Sequence, residues 1–186
     1  VFTCLDANSI SKLLIGTATG KVVVYDLHTK TCVGQHQPGS TRITAIHSFR
    51  DNSFLVSDEH TVAIYDSYKS QIPKHKVSVV KEIINAFWHW KKEHIVVVYR
   101  DGFSVFTIKG NEEKSASLGE GFSIAYTDLH CGGRYLATAI DESNTFLIWD
   151  LATDLSEPTK EFQINENDKV VNLKFSPNGI NLLVSG

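Results

Sequence analysis

Phe146-Leu147-Ile148-Trp149-Asp150 is a short, almost wholly apolar run that closes on a large aromatic and a carboxylate. Related endings stand upstream at Val22-Val23-Val24-Tyr25-Asp26 and Val62-Ala63-Ile64-Tyr65-Asp66, and in weaker form at Ser104-Val105-Phe106-Thr107. The closing positions Asp26, Asp66, Thr107 and Asp150 lie 40, 41 and 43 residues apart. Recurrence at that spacing makes each run one member of a repeated unit. Runs this short, rich in β-branched and aromatic residues, are strands, and their apolar continuity fits a sheet covered on both faces.

Each run is preceded by two further strand-like segments. Ile43 to Asn52, Ile84 to Glu93, Ile124 to Gly133 and Val170 to Gly179 stack without gaps, each a short strand followed by polar turn residues. Second strands follow at Phe54 to Ser57, His94 to Tyr99, Tyr135 to Ala139 and Asn181 to Val184. Val1 to Leu5 with Lys12 to Gly16 forms a fifth copy with a longer turn, and a variable fourth strand closes the copies, as at Thr31 to Gly34 and Glu161 to Ile164. Thr19-Gly20, Asp101-Gly102, Gly132-Gly133 and Asn178-Gly179 supply the hairpin turns, where Gly and Asn reach positive φ at little cost. Four strands per period of ~40–45 residues with a Trp-Asp ending is the signature of a β-propeller blade. The expected fold is therefore an all-β propeller in one domain spanning 1–186, with blades at approximately 1–40, 41–80, 81–119, 120–166 and, with two strands, 167–186. Propellers close with ~4–8 blades. Four and a half blades, no initiator Met and an end within a strand pair lead to the expectation of an incomplete ring cut from a longer polypeptide.

Bulk properties narrow the function. The 186 residues are 42% hydrophobic and 21% charged, with a net charge of −3. A chain without a basic field is not drawn electrostatically to nucleic acid or an anionic membrane. No apolar run reaches the ~18 residues of a membrane span. Cys4, Cys32 and Cys131 are few and widely spaced, which fits free thiols in a reducing compartment.

No residue pattern commits to catalysis, a metal or a cofactor. His89, His94 and the His130-Cys131 pair lack the spacing of a metal set, whose three or four ligands must converge at ~2.0–2.3 Å. Ser123, His130 and Asp128 supply the letters of a catalytic triad without a nucleophile elbow. Gly110 to Lys114 is expected as a turn whose acidic residues repel phosphate, and Lys74-His75-Lys76 as a small solvated loop patch. Phe87-Trp88-His89-Trp90-Lys91-Lys92 is the best local candidate for stacking on RNA, although strand alternation favours packing for its aromatics. Asp26, Asp66, Trp149 and Asp150 are expected to be structural, with Trp149 buried and its indole N–H hydrogen-bonded. Arg42, Asp58, Arg100, Asp141 and Lys169 fall at one end of the blades and form the expected partner-binding set, with mixed charge suited to a protein partner.

Taken together these repeats resemble the WD-repeat family along essentially the whole chain, in degenerate form. Seven blades are the commonest number in that family. Its Gly-His dipeptide before each first strand is replaced here by Ser40-Thr41-Arg42, Lys81-Glu82-Ile83, Glu120-Gly121-Phe122 and Asp168-Lys169, while its second-turn Asp has candidates in Asp58, Asp101 and Asp141. The resemblance implies an internal hydrogen-bond tetrad that cannot form in its usual way without the His. Arg134 to Leu151, Lys160 to Ile164 and Val170 to Phe175 are similar to a late blade of the pre-mRNA-processing factor 19 family, and Cys4 to Asp26 to its first blade. That likeness implies a nuclear scaffold in a large spliceosome-associated complex. It also implies that ubiquitin-ligase activity and oligomerisation would belong to a U-box and coiled coil outside this segment. A WD-repeat scaffold of another complex (ribosome assembly, a vesicle coat, a cullin adaptor) and an RNA-binding propeller are the alternative expectations.

Overall fold

The computed structural model describes residues 1–7, 11–49, 51–89 and 93–186, and among them every regular element is a strand. The strands are β1 (Phe2–Ala7), β2 (Lys12–Thr17), β3 (Val22–Asp26), β4 (Thr31–His36), β5 (Ile43–Ser48), β6 (Phe54–Asp58), β7 (Thr61–Tyr65), β8 (His75–Ser78), β9 (Ile83–Trp88), β10 (His94–Tyr99), β11 (Gly102–Thr107), β12 (Glu112–Ser117), β13 (Ile124–Leu129), β14 (Tyr135–Ile140), β15 (Thr145–Asp150), β16 (Lys160–Gln163), β17 (Asn172–Phe175) and β18 (Leu182–Ser185). They form four four-stranded sheets, β1 to β4, β5 to β8, β9 to β12 and β13 to β16, each in sequential order, and a two-stranded sheet β17-β18. The sheets for which register is described are antiparallel throughout. This is the expected blade architecture.

By backbone contacts the chain divides into two compact units, Val1–Trp88 with Thr107–Asn111, and His89–Phe106 with Glu112–Gly186. The first unit is organised around Leu14, Val22, Ile43, Phe54, Ala63 and Tyr65, contributed by two successive sheets and supported by Cys4. All five residues of β7 are buried, which is why its sequence shows no polar alternation. In the second unit Ala137, Ala139, Val170 and Leu173 meet Phe146, Ile148, Phe175 and Val184. Full burial of a Leu, Ile or Phe side chain contributes about 1.5–3 kcal/mol, so these intersheet seams are the main source of stability.

One local device recurs. First strands slip register beside their first residue, between Phe2 and Cys4, Ile43 and Ala45, and Ile124 and Tyr126. A bulge there frees the first N–H from its own sheet. At Ile124 that donor reaches the turn between the second and third strands of the preceding sheet, Arg100 O at 2.7 Å, and Ile83 N–H to Glu59 O at 2.7 Å and Val170 N–H to Ser143 O at 2.9 Å make the same link at or before the start of the neighbouring first strands.

The structure departs from the sequence reading at particular points. The third repeat starts on Ile83, which is fully buried like Ile43, so stacking it on Ile84 displaced the register by one. Of the supposed loop patch Lys74-His75-Lys76, His75 and Lys76 open β8 and Lys74 precedes it, with Lys74 paired to Asp66 and Lys76 Nζ donating to Pro38 O at 3.1 Å. The supposed turn Gly110 to Lys114 is mostly β12. In both places the cross-strand partner, β7 or β11, imposes strand geometry on residues of low strand propensity.

Candidate functional site

The closing carboxylates are built into their sheets to different degrees. Asp26 Oδ2 accepts from Lys12 Nζ at 2.7 Å while Oδ1 accepts from the amides of His28 and Thr29, at 2.8 and 3.1 Å. The Lys12 ammonium, with those amides, holds the Asp26 carboxyl down at about 2. Asp150 is bound by the Arg134 guanidinium, Nε at 3.0 Å from both oxygens and Nη2 at 2.6 Å from Oδ2, and it takes the Ala152 amide at 3.0 Å. Arg134 pulls the Asp150 carboxyl below the usual range. Asp66 occupies the same place in its repeat but is exposed and, among the described residues, meets Lys74 at 3.2 Å. Trp149 is 2% exposed, donates Nε1–H to Thr138 Oγ1 at 3.0 Å and meets Phe103 edge-on at 5.2 Å. Ser123 Oγ lies 3.3 Å from Asp141 Oδ2. A Trp–Thr link and a Ser–Asp link thus exist in the fourth repeat, neither of them through a His.

A different carboxylate joins successive sheets. Asp6 on β1 accepts from the Ser48 amide and from Ser48 Oγ, the latter at 2.6 Å. Asp128 on β13 accepts from the Phe175 amide at 2.7 Å and from Lys174 Nζ at 2.8 Å. Asp6 and Asp128 stand at the same step of their first strands, a periodicity that the sequence carries but that gains meaning only beside the neighbouring sheet.

The paper triad does not converge. Asp128 is committed to β17, and His130 Nδ1 accepts the Gly132 amide at 2.9 Å while Nε2 faces Gly179 O at 3.1 Å. Ser123 precedes β13 and His130 follows it, so six strand residues at ~3.3 Å each separate them. His89 and His94 have ring centroids 5.9 Å apart, and His94 Nε2 lies 3.0 Å from Glu113 Oε2. Among the described residues no group of three or more His, Cys, Asp or Glu is placed to hold a metal ion. His94 and Glu113 line a cavity of about 450 Å³ in the second unit with Lys114, Arg134, Leu151 and Ala152. Its cations are engaged by protein acceptors: Lys114 donates to Leu151 O at 3.0 Å and Thr153 O at 2.9 Å, and Arg134 binds Asp150. Of the aromatic-basic segment, Phe87 and Trp88 are buried at 5% and 7%, which removes them as stacking surfaces. Trp90, Lys91 and Lys92 lie outside the described residues.

The residues expected to meet a partner divide. In the first unit Arg42 is exposed and stands 3.8 Å from Glu59. Asp58 is only 2% exposed, its Oδ1 accepting the amides of His60 and Thr61 at 3.0 and 2.8 Å, with Gly39 packed against the other oxygen. It braces its turn, and the expectation of a surface contact there is corrected. In the second unit Arg100, Asp141 and Lys169 are exposed. Lys169 pairs with Glu142, on the turn beside Asp141. The main chain under them is fixed: Arg100 O takes the Ile124 amide at 2.7 Å, Asp141 N–H donates to Ser123 O at 2.8 Å, and Val170, next to Lys169, binds Ser143 O at 2.9 Å. One end of the second unit's sheets is therefore a row of backbone-pinned turns with side chains in solvent. Phe122, 55% exposed, and Tyr126, 40% exposed, stand beside it.

Comparison with known proteins returns no matching family model and no matching curated protein. Among solved structures, the β-propeller domain of Myceliophteria thermophila Cps50 (Swd1) is similar over 98% of this chain at 19% identity, with a TM-score of 0.82. The C-terminal WD40 domain of Sif2 is similar over 94% at 17% identity, with a TM-score of 0.74. The chain spans 61% and 51% of those two chains. At these identities the likeness establishes the WD40 β-propeller fold.

Proposed function

We propose that the chain is a non-catalytic protein-interaction scaffold, and that it meets its partner at the ends of the sheets where second and third strands turn. The observation that supports this reading is the division of labour at those turns. Main-chain amides and carbonyls hold the turns to the next sheet, while Arg42, Arg100, Asp141 and Lys169 project into solvent. Exposed charges on a fixed frame serve partner choice and encounter rate, with little loss of order on binding. Mixed signs suit a peptide or folded protein better than a polyanion. Within this reading, the resemblance in Arg134 to Leu151 makes the partner-binding propeller of a spliceosome-associated U-box ubiquitin ligase, acting in pre-mRNA splicing in the nucleus, the narrower proposal. A scaffold of another multi-subunit complex is the competing one.

The test is affinity capture from nuclear extract with wild type and the triple variant R42E/R100E/K169E, read by mass spectrometry. The expected result is a partner set that includes splicing-complex subunits and falls at least about tenfold in the variant, with the melting temperature unchanged because exposed ion pairs contribute about 0–1 kcal/mol. An identical partner set with the variant overturns the location. A reproducible set without splicing subunits overturns the narrower identity alone.

A further inference from the structure

The first unit holds a titratable group where its neighbours are aromatic. In β4 five of six residues are exposed or half-exposed, and only the last, His36, is buried, at 4% exposure. Its ring enters the adjoining sheet, 4.9 Å from Phe54 and 4.8 Å from Tyr65, two rings that stack on each other at 4.8 Å. Phe54 stacks in turn on Tyr68, which lies in the loop after β7. His36 Nε2 is 3.0 Å from Tyr68 O. A carbonyl only accepts, so Nε2 carries the proton in this neutral tautomer and Nδ1 is a bare lone pair. Nδ1 is buried with no hydrogen-bonding partner.

The same carbonyl fixes the strand beside it. A Cβ at Gly34 would collide with Tyr68 O, so β4 runs directly along the loop. His36 is thus a peg between the first and second sheets, both within one compact unit. Among the described residues no charged side chain compensates it. Val22 pairs with it on β3, the Phe54 and Tyr65 rings flank it, and the Tyr68 carbonyl faces it. Burial pushes Tyr65 up, so it stays neutral through the physiological range. Asp66 is exposed and faces Lys74, and Asp58, beneath Gly39, is held by the amides of its own turn. Only the carbonyls of Tyr68 and Ser70 favour a second ring proton, and burial outweighs them, holding His36 below its ordinary value of 6.5.

We propose that His36 is a pH-sensitive latch: neutral, it pins β4 to the loop after β7, and protonated, it leaves the aromatic pocket and releases that seam. The linkage has one direction. An opened, solvated His36 takes up a proton near 6.5 and the latched ring only at lower pH. The latch is therefore at full strength above about 6.5, and its opening constant rises about tenfold per pH unit below that, down to the latched value.

Hydrogen exchange of the full chain, corrected for the intrinsic pH dependence of exchange, reads the seam. Between pH 7.5 and pH 5, protection in β4 and in 66–74 should fall, by up to about thirtyfold, while β10 and β14 change little. His36→Gln keeps an N–H for Tyr68 O and cannot titrate, so its seam should be flat over the same range. Nuclear magnetic resonance of the wild-type His36 ring gives a second reading, independent of any variant, and its midpoint should lie below 6.5. The proposal is overturned if the Gln variant opens with the wild-type pH dependence, which would move the effect to another histidine such as His60 or His75. It is equally overturned if His36 titrates at or above 6.5 while the seam stays protected.

Discussion

Removing the Trp149 indole tests the assignment of β15 as a strand covered on both faces. The side chain is 2% exposed, its Nε1–H meets Thr138 Oγ1 at 3.0 Å, and Phe103 packs edge-on at 5.2 Å. Truncation to Ala empties a site lined by β11 and β14, and a buried Trp→Ala change costs about 3–5 kcal/mol. The hydrogen bond can be separated from the packing. Thr138 is fully buried, so Thr138→Val keeps the shape but strands the indole N–H, at about 1–3 kcal/mol. Trp149→Phe strands the Thr138 hydroxyl and loses ring area, about 2 kcal/mol in all. The double variant leaves neither group unpaired, so its cost should fall about 1 kcal/mol short of the sum. The chain has two compact units, so urea unfolding by far-UV circular dichroism should be read with hydrogen exchange in β14 and β15 rather than assumed two-state. A Trp149→Ala cost below ~1 kcal/mol, with an additive cycle, would refute the register that pairs Leu136 with Trp149.

Two further outcomes follow from the site geometry. Asp58→Ala should cost about 1–3 kcal/mol, because it leaves the amides of His60 and Thr61 without their acceptor in a buried turn. Arg42→Ala, which breaks an exposed 3.8 Å pair, should cost no more than about 1 kcal/mol in the same titration, and a reversed order would undo the distinction between brace and contact. Asp26, held at about 2 by Lys12, keeps its contribution above the ordinary carboxylate value of 3.8 and loses it as pH falls toward about 2. Carboxyl ¹³C titration should place its midpoint well below the ordinary 3.8, and Lys12→Ala should raise it.

Some of this was written in the chain. Strand runs ending at Asp26, Asp66, Thr107 and Asp150 and the glycine turns between them are local patterns, and local patterns specify strands and hairpins without knowledge of neighbours. The pairing of closing carboxylates was also accessible. A cation stands at or beside the start of the second strand in the repeats of Asp26 and Asp150, as Lys12 and Arg134, whereas Ser53 stands there in the repeat of Asp66. The tertiary structure decided the rest. Asp58 and Asp141 both border the turn after a second strand, yet Asp58, the last residue of β6, is buried against Gly39, while Asp141, one residue past β14, is exposed beside Ser123. Ile83 rather than Ile84 opens its repeat because a donor must reach Glu59 O, a requirement set 24 residues away. His36 looks like the end of an exposed edge strand until the Phe54 and Tyr65 rings and the Tyr68 carbonyl close around it. Periodicity fixes which residues face inward along a strand, but what they face is set by a sheet some 40 residues further on, where burial and orphaned donors are resolved.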